Sequence, residues 1–83
     1  MRTTRYFNEQ VLRKRPYLSL DLCAAVIADP LRREVQPDGR IRYWGRVIMP
    51  GEEQARVLRV VTLEDGETVH NAFFDRNYRE PGP

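Results

Sequence analysis

Two Asp-Gly turn signals constrain this chain more than any other feature of its sequence. One lies inside Arg56 to Arg76, "RVLRVVTLEDGETVHNAFFDR", where runs rich in Val, Leu and Phe flank "EDG". Such runs fold back on each other as a hairpin, because Gly takes the left-handed turn conformation without steric cost. The other, "PDG" at 37 to 39, sits between "REVQ" and "RIRYWGRVI". With "PGEEQ" as a middle turn, four strands are expected as an antiparallel meander: Arg33 to Gln36, Arg40 to Ile48, Arg56 to Leu63 and Glu67 to Asp75.

Turn chemistry also predicts register. Both "DG" signals are read as three-residue loops, a type I turn followed by a left-handed Gly. Val35 then faces Ile41, Glu34 faces Arg42, Val69 faces Val61 and His70 faces Val60. Pairing Val47 with Val57 in the middle hairpin keeps like with like. One face then carries Val35, Ile41, Tyr43, Val47, Val57, Val61, Leu63, Val69 and Phe73, and is expected under the helices, with Arg59 and Asn71 as polar exceptions. The opposite face gathers Arg42, Trp44, Arg46, Leu58, Val60, His70 and Phe74. A two-residue loop at "EDG" would instead turn His70 to the helix side.

Ahead of the strands the apolar period is helical. Ser19 caps a helix over Leu20 to Ala28, with Asp21 in its first turn and Asp29-Pro30 at its stop. Leu22, Cys23, Val26 and Ile27 form its stripe, and Leu20, Ala24, Ala25 and Ala28 make the rest nearly apolar, so burial on two sides is expected, by the first helix or by a partner. A shorter helix is read over Tyr6 to Arg15, with Thr3 or Thr4 as cap and a stop before Pro16; an amphipathic strand is the alternative. The fold class is therefore α+β, one or two N-terminal helices packed on a four-stranded antiparallel meander. One domain over residues 1–83 is expected, with 1–5 and 79–83 disordered, since 83 residues are too few for two independent cores.

No charged-then-apolar leader and no run of about 18 apolar residues is present, and the one Cys, Cys23, cannot form an internal disulfide, so a cytoplasmic protein with no membrane association is expected. Residues 1–46 carry ten Arg/Lys against five Asp/Glu, net +5, and residues 47–83 carry four against seven, net −3, which sum to +2. Thirteen of the fourteen basic residues are Arg. That bias fits codon usage in a GC-rich genome, and guanidinium recognition of phosphate is the functional alternative.

Chemistry is sought on the second sheet face. Arginines beside Trp44 and Phe74 suit single-stranded RNA, with phosphates on Arg42 and Arg46 and bases on the rings, and His70 there could move a proton near neutral pH. The same residues suit a homodimer or protein interface, with Arg42 paired to Glu34 across strands. Cofactor motifs are lacking: no glycine-rich phosphate loop occurs, and one His with one Cys is too few for a zinc site.

The segments "EVQPDGRIRYW" and "LRVVTLEDGETVHNAFFDR" are similar to hallmark segments of a group of small bacterial proteins. The layout more distantly resembles the RelE and BrnT ribonuclease toxins, through a helix closing at Asp29-Pro30, "LRVV", and a last strand ending in Arg76. That resemblance implies an antiparallel sheet with helices on one side, metal-independent RNA cleavage on the ribosome, and an antitoxin-like protein partner. The positions nearest by chemistry are Arg42, Arg46, His70, Arg76 and Tyr78, with His70 and Tyr78 in the catalytic role and Trp44, Phe74 and the arginines on RNA. The chain departs from such toxins in its near lack of Lys and in "AFFDR", which replaces a serine-alanine-arginine ending. Two functions are expected side by side: a non-catalytic interaction module, as a homodimer or with a protein partner, and a RelE-like ribonuclease.

Overall fold

Thr4 opens the first helical segment in the computed structural model, which describes residues 1–79. Its hydroxyl accepts from the Phe7 amide at 3.1 Å and its carbonyl from Asn8 at 3.2 Å, so two amides that a helix start would leave orphaned are satisfied. This segment, α1, is π-helical over Phe7–Val11 and α-helical over Leu12–Lys14, and it buries Phe7 and Val11. Arg15 leaves the helix with ψ 68° because the ring of Pro16 crowds a helical residue before it.

Ser19 is extended and its Oγ accepts from the Leu22 amide at 3.1 Å, starting α2, Leu20–Ala28. Cys23 and Val26 of α2 are buried, and Leu22 and Ile27 are partly buried against the core. Ala25 and Ala28 are exposed, so within this chain α2 is covered on one side. Among the described residues no helix is long and apolar enough to cross a membrane.

The strands β1 (Arg32–Val35), β2 (Ile41–Val47), β3 (Arg56–Thr62) and β4 (Val69–Phe74) form one antiparallel sheet in the order β1-β2-β3-β4. The fold is α+β, a helical layer on a meander. α2 lies across β2 and β3, and α1 lies against β4. Gly45 permits the first contact: a Cβ there would sit 3.0 Å from Val26 Cγ2. The core runs from Phe7, Val11, Cys23 and Val26 into Tyr43, Leu58, Val60, Val69 and Ala72.

The β1–β2 register is the expected one, Val35 on Ile41 and Glu34 on Arg42, with Gly39 at φ 90° closing the turn. The middle hairpin is shifted by one residue. Val47 pairs with Arg56, and Val57 pairs with Arg46. A one-residue slip exchanges the faces of everything beyond it. Leu58, Val60 and Thr62 therefore lie under the helices, opposite Gly45, Tyr43 and Ile41, while Val57, Arg59 and Val61 take the other face. Arg56 tolerates the helix side because its guanidinium stacks 3.7 Å from the centroid of Phe74.

The last hairpin also departs from expectation. Asp65 Oδ1 accepts from the amides of Glu67 and Thr68, and Leu63 donates to the Thr68 carbonyl at 2.9 Å, so the loop spans 64–67 rather than three residues. Thr62 pairs with Val69, a bulge follows, and Val61 pairs with Asn71 and Val60 with Ala72. The N-terminus is another correction. Val69 donates to the Arg2 carbonyl and accepts from Thr4, both at 2.9 Å, so residues 2–4 are tied to β4 rather than loose. The expected disorder at 80–83 lies outside the described residues.

Candidate functional site

Period two places the site. With Ile41, Tyr43, Gly45 and Val47 turned to the helices, Arg42, Trp44 and Arg46 must project from the opposite face of β2. Among the described residues no helix packs on that face. Cross-strand partners complete it in rows. Trp44 lies between Arg32 on β1 and Arg59 on β3, and Arg59 lies beside Phe73 on β4. Arg42 lies between Glu34 and Val61, and Arg46 beside Val57.

The first row is a ladder of guanidinium planes and rings. The Arg32 guanidinium carbon is 5.6 Å from the Trp44 ring, and that of Arg59 is 5.8 Å from Trp44 and 4.9 Å from Phe73. Trp44 is only 7% exposed although no layer of secondary structure covers it. Its Nε1 donates to Asp75 Oδ2 at 3.0 Å, and Tyr78 tilts over the ring at 5.8 Å. A turn at the end of β4 holds Tyr78 there, since Asp75 Oδ1 accepts from the Asn77 amide at 3.0 Å. Arginines and one tyrosine thus do for Trp44 what a second layer would do.

Electrostatically the face is unequal. Glu34 accepts from Arg32 at 3.1 Å and from Arg42 at 3.3 Å, so one carboxylate serves two guanidiniums. Arg42 also reaches the Gln36 side-chain oxygen at 2.9 Å when that amide is turned toward it. Burial, and then the neighbouring charge of Arg42, lowers the Arg59 guanidinium from its ordinary value, with Asp75 and Glu34 opposing. Its Nε is buried without a hydrogen-bond partner among the described residues. Four arginines, Arg32, Arg42, Arg46 and Arg59, share the face with two carboxylates, Glu34 and Asp75.

The other expected site residues lie elsewhere. Phe74 is on the helix side, stacked with Tyr17 at 5.9 Å and 8° and beneath Arg56. Arg76 follows β4 and, with Arg56, Val57, Phe74, Asp75 and Tyr78, lines a cleft of about 330 Å³ at the end of the sheet. His70 faces the N-terminal segment: Nδ1 is 3.0 Å from Thr4 Oγ1 and its ring stacks on Tyr6 at 4.9 Å. The Thr4 hydroxyl, which accepts from the Phe7 amide, bonds Nδ1 as donor or acceptor according to the imidazole tautomer. Burial, with the charge of Arg40, lowers the His70 pKa from its ordinary value and favours the neutral form.

Arg32, Arg59, Phe73 and Asp75 joined the face without being expected there. A signal for Arg59 was present, a lone guanidinium in "VLRVV" that the expected register placed awkwardly under the helices. Burial pushes the Cys23 thiol up to about 11, as suits a packing residue. Among the described residues no group of three or more His, Cys, Asp or Glu is placed to hold a metal ion. Comparison of the chain with models of protein families, with curated proteins and with solved structures found no match.

Proposed function

We propose that this protein is a non-catalytic interaction module that takes an acidic protein partner on the open face of its sheet. The observation that carries this reading is the Arg32–Trp44–Arg59–Phe73 ladder, which presents guanidinium groups already ordered on aromatic rings. Ordered donors lose less entropy when a carboxylate arrives, and the planar fork suits bidentate contact with it. Self-association through this face would set arginine against arginine. Base stacking on RNA needs a bare ring, whereas Trp44 has Arg32, Arg59 and Tyr78 around it. Of the two residues expected in a ribonuclease's catalytic role, His70 lies away from the arginines against Thr4 and Tyr6, and Tyr78 is on the arginine face, packed over the Trp44 ring.

The test is a titration with an oligoglutamate peptide and, in parallel, a single-stranded RNA of equal charge, followed by the fluorescence of the single tryptophan. The peptide should bind more tightly, and Arg32→Ala with Arg59→Ala, the two guanidiniums of the ladder, should weaken it at least about tenfold, or about 1.4 kcal/mol. The charge-matched pair Arg13→Ala with Lys14→Ala, on exposed α1 positions, should leave binding unchanged. Tighter binding of RNA, or equal losses from both pairs, would refute the proposal.

A further inference from the structure

The two outer edges of the sheet differ. At β4 the edge is met by the N-terminal segment, through the Thr3 bridge to Val69 and the bonds of Arg2 and Thr4. β1 pairs with β2 on one side, and among the described residues no strand lies on the other. The Gln36 amide donates to the Arg40 carbonyl at 2.7 Å, which sets the phase of the ladder. Arg32, Glu34 and Gln36 therefore turn their backbone groups toward β2, and Arg33 and Val35 turn theirs outward. Val35, 57% exposed, lies on this open ladder, while Leu31 ahead of β1 turns its amide inward to the Trp44 carbonyl at 2.7 Å.

We propose that β1 pairs antiparallel with β1 of a second copy, about a two-fold axis at Arg33, joining two four-stranded sheets into one. Such an axis runs perpendicular to the sheet, so both helical layers lie on one side and each residue meets a residue of its own face. Arg32 then opposes Glu34 of the second copy twice on the open face. Arg33 meets itself, and its guanidinium is drawn away from the axis over the Tyr43 ring, at 5.9 Å. Moving the axis to Glu34 would set Glu34 against Glu34, and moving it to Val35 would oppose Glu34 to Gln36, so only the axis at Arg33 keeps both Arg32–Glu34 pairs. Short charged edge strands also keep sheets apart. On the open face of β1, however, Arg32 and Glu34 carry opposite signs, and the axis at Arg33 sets one against the other. Because a two-fold contact uses the β1 edge of both copies, pairing through that edge closes at two copies. The dimer shares Arg32 with the surface proposed for the acidic partner, and would present that face twice on one continuous surface.

Sedimentation equilibrium over a range of concentrations, together with cysteine crosslinking, tests the inference. The unmodified protein should sediment as a dimer, and Val35→Pro, which removes an outward amide and no bond to β2, should abolish it. Under mild oxidation Arg33→Cys should form a covalent dimer, since paired residues at the axis lie about 5.5 Å apart, within disulfide reach. Glu34→Cys should not, being offset from its own copy, and the buried Cys23 makes the unmodified chain its own control. A monomer at every concentration with no crosslink through Arg33→Cys would overturn the dimer. Crosslinking through Glu34→Cys instead would overturn the register.

Discussion

Leu58 and Val57 are neighbours on β3, and truncating each in turn measures which face of the sheet the helices cover. Leu58 is 0% exposed beneath α2, opposite Gly45, whereas Val57 is half-buried on the open face beside Arg46. Leu58→Ala removes three carbons worth about 0.8 kcal/mol each on transfer, and the cavity left behind raises the cost to about 3 to 5 kcal/mol. Val57→Ala removes two carbons that are already half in water, for about 0.8 kcal/mol. In a domain of this size each kcal/mol moves the melting temperature by about 4 to 8 °C, so the first variant should lose at least about 12 °C and the second about 3 to 6 °C. Small single cores hold about 3 to 5 kcal/mol in total, so Leu58→Ala sits at the edge of folding. Urea unfolding followed by the fluorescence of Trp44, with Leu58→Val as a milder step, keeps the comparison readable. A Val57→Ala cost equal to or above that of Leu58→Ala would refute the observed register and restore the Val47–Val57 pairing.

Other consequences are as direct. Gly45→Ala should cost about 1 to 3 kcal/mol by pressing a methyl group onto Val26, and Val26→Ala in the same chain should recover part of the melting temperature. Three hydrogen bonds hold the Asp65 carboxyl at about 2, below its ordinary 3.8, so its contribution to stability is complete above pH 4 and is lost as pH falls toward 2. His70 is likewise lowered from 6.5, chiefly by burial, so stability should also fall as pH drops below 6.5; urea midpoints against pH should show both losses, the second absent in His70→Gln. Cys23 should resist a thiol reagent at pH 8 in the folded protein and react fully in urea.

What could be read from the sequence was local. Ser19 and Asp29-Pro30 bound α2, Pro16 ends α1, and "PDG" fixes the β1–β2 register, because each acts through the backbone of its immediate neighbours. The middle hairpin has no such device. Its eight-residue connection, 48–55, leaves register to side-chain packing, and pairing Val with Val ignored the ability of Arg56 to lie on Phe74. The misplaced register carried its own warning in Arg59 and Asn71, polar residues assigned to the helix side; in the structure both lie on the open face. His70 escaped for a different reason. The Asp65 carboxylate widens the last turn by one residue and a bulge follows, so neither of the two loop lengths considered describes where the ring goes. The arginine face was half legible: Arg42, Trp44 and Arg46 follow from β2 alone, whereas Arg32, Arg59, Phe73 and Asp75 need the pairing of all four strands.

The indole Nε1–H of Trp44 reports most directly on the open face as a binding surface. It is the one indole proton in the chain, it is bonded to Asp75, and its ring has Arg32 and Arg59 within 5.8 Å. In a nitrogen–proton correlation spectrum titrated with oligoglutamate, this resonance should shift progressively and saturate, and added salt should reverse the shift. A resonance that stays fixed while the peptide binds would contradict the assignment of the open face as the binding surface.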